Sequence, residues 1–466
     1  MSDILVTGLG TVGAYGCGGD SLRRALAAPD PLGLSSEIDR SAGYHRPGSA
    51  RRALLTGAVS LAEWLAPGEA RRMSPPSKLA VAAARMALAC AGFADRRCDR
   101  EETAVAISTV FGPSSYSEAL LKQILFEGPE AASPFLFTES VANAPAAQIA
   151  ILCRARGPSV TICQHEAGAL QAVGQGAADV AAGRAPRALA GAVDEMTPLL
   201  HALLDRFGAL ARPVAAGQAE QALPFDRRRT GFVAAEGATL LLLETAGSAA
   251  ERGARPLARV LAWGSAFDPT APQAAWGTGH DRLARSLRRG LARAGIDLGA
   301  IGRIVAGASG SRGGDRLEGL MLRAVWEDRP LPPVLAPKGL LGEYGGGFLG
   351  AAVLAAAGCR FGPVASGFEV DPELGIVPSL RSPGGNEQED GEPPSQPRAF
   401  PWAEEGWPVG PENKSRRVEG PKVRASLAQG NALGWEGTPG VAGGGAILVT
   451  SVAAGGAASW LVLGAP

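Results

Sequence analysis

The stretch Ile4-Leu5-Val6-Thr7-Gly8-Leu9-Gly10-Thr11-Val12-Gly13-Ala14-Tyr15-Gly16 admits two readings, and the choice between them decides the fold. Apolar and β-branched residues lead into glycine, so Ile4–Gly8 reads as a first strand. Gly8, Gly10 and Gly13 match GxGxxG, the loop that brings a backbone against a dinucleotide pyrophosphate at a helix N-terminus. That reading requires a helix opening at the last glycine and a second strand ending in an acidic residue about twenty residues on. The chain instead adds Gly16, Gly18 and Gly19 where the helix should start, and no apolar strand precedes Asp30. The expectation is a first strand and a tight glycine turn, without a nucleotide.

Working outward, short apolar runs bounded by Gly, Asp or Pro alternate with Ala/Leu/Arg stretches of helical spacing, an α/β pattern. In the first half the expected strands are Ile4–Gly8, Thr103–Ser108, Ser159–Cys163, Arg187–Ala192 and Ala238–Glu244. In the second they are Leu257–Trp263, Arg303–Gly307, Pro333–Ala336, Ala446–Ser451 and Trp460–Leu463. Helices are expected over Lys78–Ala91, Ala167–Ala182 and His280–Ala294. Two similar sets of strands point to a duplication, with halves at 1–250 and 251–466. The run from Ser382 to Gly440 is dense in Pro, Gly and charge and has no period, so 382–440 reads as a disordered surface insertion. Its Trp402, Trp407 and Trp435 are candidates for a partner's docking site.

The 466 residues include 45 Lys+Arg and 45 Asp+Glu, so no net charge draws the chain to nucleic acid or to an anionic membrane. Only 5% of residues are aromatic while 64 are glycine, so the core is built from small side chains. Cys17, Cys90, Cys98, Cys153, Cys163 and Cys359 are scattered, without a CxxC pair or a neighbouring His at ligand spacing. Neither a metal site nor a disulfide framework is expected, and the reducing cytoplasm is the natural compartment. The opening lacks the positive flank of a signal peptide, and no apolar run is long enough to span a bilayer.

Five stretches of the chain carry a resemblance. They are the opening Ile4–Gly16, the run Gly157-Pro158-Ser159-Val160-Thr161-Ile162, Gly183–Glu195, Pro224-Phe225-Asp226-Arg227-Arg228-Arg229-Thr230-Gly231-Phe232-Val233 with Glu236-Gly237, and Ser451–Leu463. In this order they resemble the β-ketoacyl synthases, the condensing enzymes of fatty-acid and polyketide assembly in the thiolase superfamily. The resemblance implies a thiolase-like five-layer αβαβα fold of two duplicated halves. It also implies a cysteine nucleophile at a helix N-terminus and two histidines that assist decarboxylation of a malonyl extender.

All three positions have changed. Counting on from Gly157-Pro158, the nucleophile slot is Glu166. The HGT…GD..E stretch of the family is matched by Gly307–Glu318, with Gly307 for the histidine and Gly314, Asp315 and Glu318 kept. The K…GH..GA stretch is matched by Lys338–Ala351, with Lys338 kept and Glu343 for the histidine. The phenylalanines that gate the family's pocket are matched by Val452 and Ala454, and Phe232 joins them as a candidate pocket residue. None of His45, His165, His201 and His280 falls on a catalytic position.

A carboxylate at Glu166 suits a helix N-terminus but replaces a thiolate poorly, because its attack on a thioester gives a labile anhydride. The resemblance therefore implies a catalytically silent subunit, similar to a chain-length factor, paired as a heterodimer with an active ketosynthase. The surface around Ser159–Cys163 would face that partner. An acyl carrier protein would deliver the phosphopantetheine arm, and no cofactor of the chain's own is expected. Three alternatives stand beside it: a decarboxylase acting through Glu166, an acyltransferase acting through Cys163, and a free-standing binder of acyl chains or carrier protein. His165 could pair with Glu166 or be structural. Glu318 could pair with Lys338. Arg227, Arg228 and Arg229 read either as an anion patch or as a solvated turn.

Overall fold

The computed structural model of the protein describes residues 3–93, 102–359, 361, 368–378 and 445–466, so the expected insertion and its tryptophans lie outside the described residues. Each expected strand forms, and the sheet that collects them repeats one order twice. The N-terminal half runs Ile4–Gly13, Gly237–Thr245, Arg187–Asp194, Thr103–Ser108, Ser159–Ile162. The C-terminal half runs Ala258–Phe267, Ala457–Gly464, Ala446–Val452, Ile301–Ala306, Val334–Leu335. In each half the first two pairings are antiparallel and the last two parallel. The halves join edge to edge where Ile4, Leu5 and Val6 lie opposite Val260, Arg259 and Ala258.

The layers follow from which residues each element must bury. Thr103–Ser108 is buried at every position, as a parallel strand covered on both faces must be. The helices Gly168–Ala181 and Gly347–Ala356 each touch strands of both halves and form the middle layer. Gly347–Ala356 is buried throughout, so its sequence GFLGAAVLAA shows no polar face. The outer helix His280–Arg293 turns Leu283, Ala284, Leu287 and Leu291 inward and leaves its arginines to the outside. Pro75–Cys90 covers the outer face of the N-terminal half's strands. The result is the αβαβα arrangement of two duplicated halves.

The glycines of the opening have a different purpose from the one their spacing implies. The first strand runs on to Gly13, so Gly8 and Gly10 lie inside it and not in a turn, which corrects the expected boundary at Gly8. A Cβ at Gly8 would stand 2.1 Å from the Ala87 carbonyl oxygen, and one at Gly10 would stand 1.8 Å from that of Ala83. These glycines let the Pro75–Cys90 helix pack backbone against strand. The tight turn comes later, where Gly13 pairs with Gly16.

The two outer edges differ. Ser159 and Val160 are exposed on the last strand of the N-terminal half, whereas Val334 and Leu335 are buried and Val334 is bridged to Pro378. Among the described residues no single helix is long and apolar enough to cross a membrane.

Candidate functional site

Each middle-layer helix is preceded by a glutamate. Glu166 sits in the short turn His165–Ala167 between the strand Ser159–Ile162 and the helix Gly168–Ala181. Glu343 sits between the helical turn Lys338–Leu341 and the helix Gly347–Ala356. Its backbone is pinned on both sides, its N–H donating to the Val233 carbonyl at 2.8 Å and its carbonyl accepting from the Ala235 N–H at 3.1 Å. The stretch after Phe232 thus positions the family's second histidine slot.

The two carboxylates have separate partners. Lys338 is fully buried, and its Nζ donates to both oxygens of Glu343, at 2.7 and 2.9 Å, while lying 4.8 Å from the centre of the Phe348 ring. Burial pushes the Glu343 carboxyl up, the Lys338 charge opposes this, and the charge of Glu166 adds to it. The expected pairing of Lys338 with Glu318 is replaced, because a carboxylate at 343 reaches the ammonium directly. Glu318 Oε1 accepts instead from the Gly307 N–H at 3.1 Å and the Thr450 hydroxyl at 2.6 Å. Burial pushes it up to about 7.

At the other end, Glu166 Oε2 accepts from the Ala454 N–H at 3.2 Å, and its carbonyl accepts from the Ser451 hydroxyl at 2.8 Å. Gly307, the first histidine slot, follows the end of the strand Ile301–Ala306 and lies against Ser451. A Cβ there would lie 2.7 Å from Ser451 Oγ. The structure therefore gathers Glu166, Gly307 and Glu343 with Lys338 and Ala454 around one site, held by the Lys338–Glu343 ion pair, a hydrogen bond between Ser309 and Glu343, and backbone anchoring. The Lys338 ammonium is paired with Glu343, and no imidazole stands at either family position.

Other candidates fall away from this centre. Phe232 packs with Ile38, Ala50, Ala53, Met196, Leu200 and Leu210 beneath a small sheet, and Val452 is buried in the C-terminal core. Cys163 is largely exposed, and the partial burial of its sulfur together with the nearby Asp194 charge pushes its thiol up, the reverse of an activated nucleophile. His165 is exposed and takes a left-handed φ of 44°. His45 and His201 stand 3.0 Å apart, ring nitrogen to ring nitrogen, in another region. The arginine triplet is not an anion patch: Arg228 pairs with Asp226 at 2.8 Å, Arg229 with Asp371 at 2.6 Å, and Arg227 with Glu369.

Sequence reasoning passed over three anchors. Asp315 was noted as a retained motif residue, yet it accepts from the N–H groups of Phe225, Ser309 and Gly310, and so holds Phe225 at a left-handed φ of 61°. Such a backbone costs on the order of 1–3 kcal/mol and persists only where its surroundings hold it. Asp194 ties Thr109 and Val110 to Gly345, just after Glu343. Ser451 was visible only as the first residue of a glycine-rich turn, and no local signal marked its reach to Glu166.

Comparison with known proteins agrees with this geometry. The model of the "Beta-ketoacyl synthase, N-terminal domain" matches residues 1–249, more than half of the chain. The 3-oxoacyl-[acyl-carrier-protein] synthase 2 of Rhizobium meliloti (strain 1021) is 29% identical over 326 residues, covering 66% of this chain and 74% of that protein. The structure described as the ishigamide ketosynthase/chain length factor superposes with a TM-score of 0.76 at 26% identity, over 100% of this chain and 99% of that one. A type II polyketide ketosynthase solved with its acyl-carrier protein superposes equally, at 0.76 over 100% of both chains, but at 19% identity it speaks for the fold alone. Fold, retained anchors and sequence coverage converge, and the chain belongs to the β-ketoacyl synthase family of the thiolase superfamily.

Proposed function

We propose that this chain is a catalytically silent ketosynthase-like subunit of fatty-acid or polyketide assembly, acting as the chain-length-factor-type partner of an active ketosynthase. The observation that carries the reading is the Lys338–Glu343 ion pair. It occupies the position from which the family's second histidine works and binds both carboxylate oxygens of the residue that replaced it. Glu166 is anchored to Ala454 and a Cβ at Gly307 would crowd Ser451, so neither the nucleophile slot nor the first histidine slot offers the thiolate or imidazole that the family uses. The partner supplies the cysteine and histidines, and an acyl carrier protein brings the phosphopantetheine arm to it.

The place for the partner is the open edge of the N-terminal half. Among the described residues Ser159–Ile162 presents an unpaired strand edge, and Leu125, Phe126, Phe137 and Ile151 are exposed on the elements before it. An exposed strand edge with apolar neighbours is a template for pairing with another chain. The free-standing binder has no comparable observation in its favour, and the raised Cys163 thiol weighs against the acyltransferase.

The test uses malonyl carrier protein and an acyl primer. The chain alone is expected to release no carbon dioxide and form no ketoacyl product, whereas an equimolar mixture with the ketosynthase does both. Decarboxylation or condensation by the chain alone would overturn the reading.

A further inference from the structure

We propose that Glu166, Ser451 and Gly307 act as one latch, which holds the turn Val452–Gly456 against the N-terminal end of the Gly168–Ala181 helix and denies an acyl thioester access to residue 166. The inference rests on the assignment of Glu166 to the nucleophile slot. It does not depend on the partner reading.

One residue fastens the turn at two points, since the Glu166 carbonyl takes the Ser451 hydroxyl and its carboxylate takes the Ala454 N–H. Between them Ala453 packs with Ala167 and Ala457 in a small buried cluster. The far side of the turn is tied as well, with the Gly455 N–H donating to the Ala275 carbonyl at 3.0 Å and the Asp268 N–H donating to that of Gly456 at 2.8 Å. Gly307 is the third member because only a residue without Cβ leaves the Ser451 hydroxyl free to reach Glu166. The three positions are therefore coupled: restoring a side chain at 307 displaces Ser451 and loosens the turn from Glu166.

Hydrogen exchange of the full chain, read on peptides covering residues 450–457, tests this. Glu166→Ala removes the carboxylate acceptor, and exchange in the turn is expected to rise about tenfold, the weight of one charge-assisted hydrogen bond. Glu166→Gln keeps an acceptor at the same place and is expected to stay within about threefold of the parent. Gly307→Ala, whose Cβ would stand 2.7 Å from the Ser451 hydroxyl oxygen, is expected to raise exchange at least as much as Ser451→Ala. Ser451→Ala, a one-hydroxyl change that the fold tolerates, gives a smaller rise. Unchanged exchange in Glu166→Ala or Ser451→Ala, or an equal rise in Glu166→Gln and Glu166→Ala, would overturn the latch. Because the experiment uses the chain alone, its failure is distinct from failure to bind a ketosynthase.

Discussion

The last strand of the N-terminal half, Ser159–Ile162, and the last strand of the C-terminal half, Val334–Leu335, hold the same place in the repeated order, yet the first is exposed and the second buried beneath the segment around Pro378. Duplication alone would give two like edges. Leu374 and Ile376 join the C-terminal core and close that edge within the chain. The N-terminal edge is left with Val160 exposed, and the preceding helices leave Phe126 and Phe137 exposed as well, at 83% and 61%. The difference separates two kinds of importance. Substitutions in the C-terminal half should break the fold, and substitutions on the N-terminal edge should break an association.

The largest effect is expected at Lys338. Lys338→Met leaves Glu343 buried without its counter-charge, and loss of one member of a buried pair costs about 3–5 kcal/mol. Chemical denaturation should show a loss of that size. The double change Lys338→Met with Glu343→Leu should recover most of it, since an apolar pair of similar volume replaces a buried ion pair well. A loss below about 1 kcal/mol in the single variant would mean that the pair does not organise the site.

The next effect is a pH dependence in the same half. Glu318 titrates at about 7 in the folded chain, above its unfolded value of 4.5. The folded state therefore holds more protons between these values, and stability falls as pH rises through that window. Glu318→Gln should flatten the fall between pH 5 and 7.5 by up to roughly 3 kcal/mol, read from melts at each pH. An unaltered slope would remove Glu318 as its source.

At the open edge the expected effects are smaller and differently distributed. Val160→Lys should weaken binding of the ketosynthase at least about tenfold, roughly 1.4 kcal/mol. The stability of the chain itself should move by no more than about 0.5 kcal/mol. If instead it loses stability and keeps its partner, the two edges do not differ in the way described.

Much of this was legible in the sequence because local pattern and tertiary context agree. Thr103–Ser108 was placed residue for residue, and His280–Arg293 within one residue, because each has a clear period and clear punctuation. The first strand was cut short at Gly8 because glycine usually punctuates, whereas here it admits a helix. At the site, the identities of Glu166, Gly307 and Glu343 followed from register along the chain. Their partners did not follow. The transfer of Lys338 from Glu318 to Glu343 depends on which carboxylate comes nearer in space, and the reach of Ser451 to Glu166 spans 285 residues. The ion pairs that consume Arg227, Arg228 and Arg229 were hidden for a related reason, since two of the three acids, Glu369 and Asp371, lie about 140 residues away.

The most direct test of the central claim is the mass of the species formed when the purified chain is mixed with the active ketosynthase, measured by light scattering on elution from a sizing column. A one-to-one complex that is lost on Val160→Lys is the predicted result. Elution of the chain apart from the ketosynthase at every concentration would contradict it.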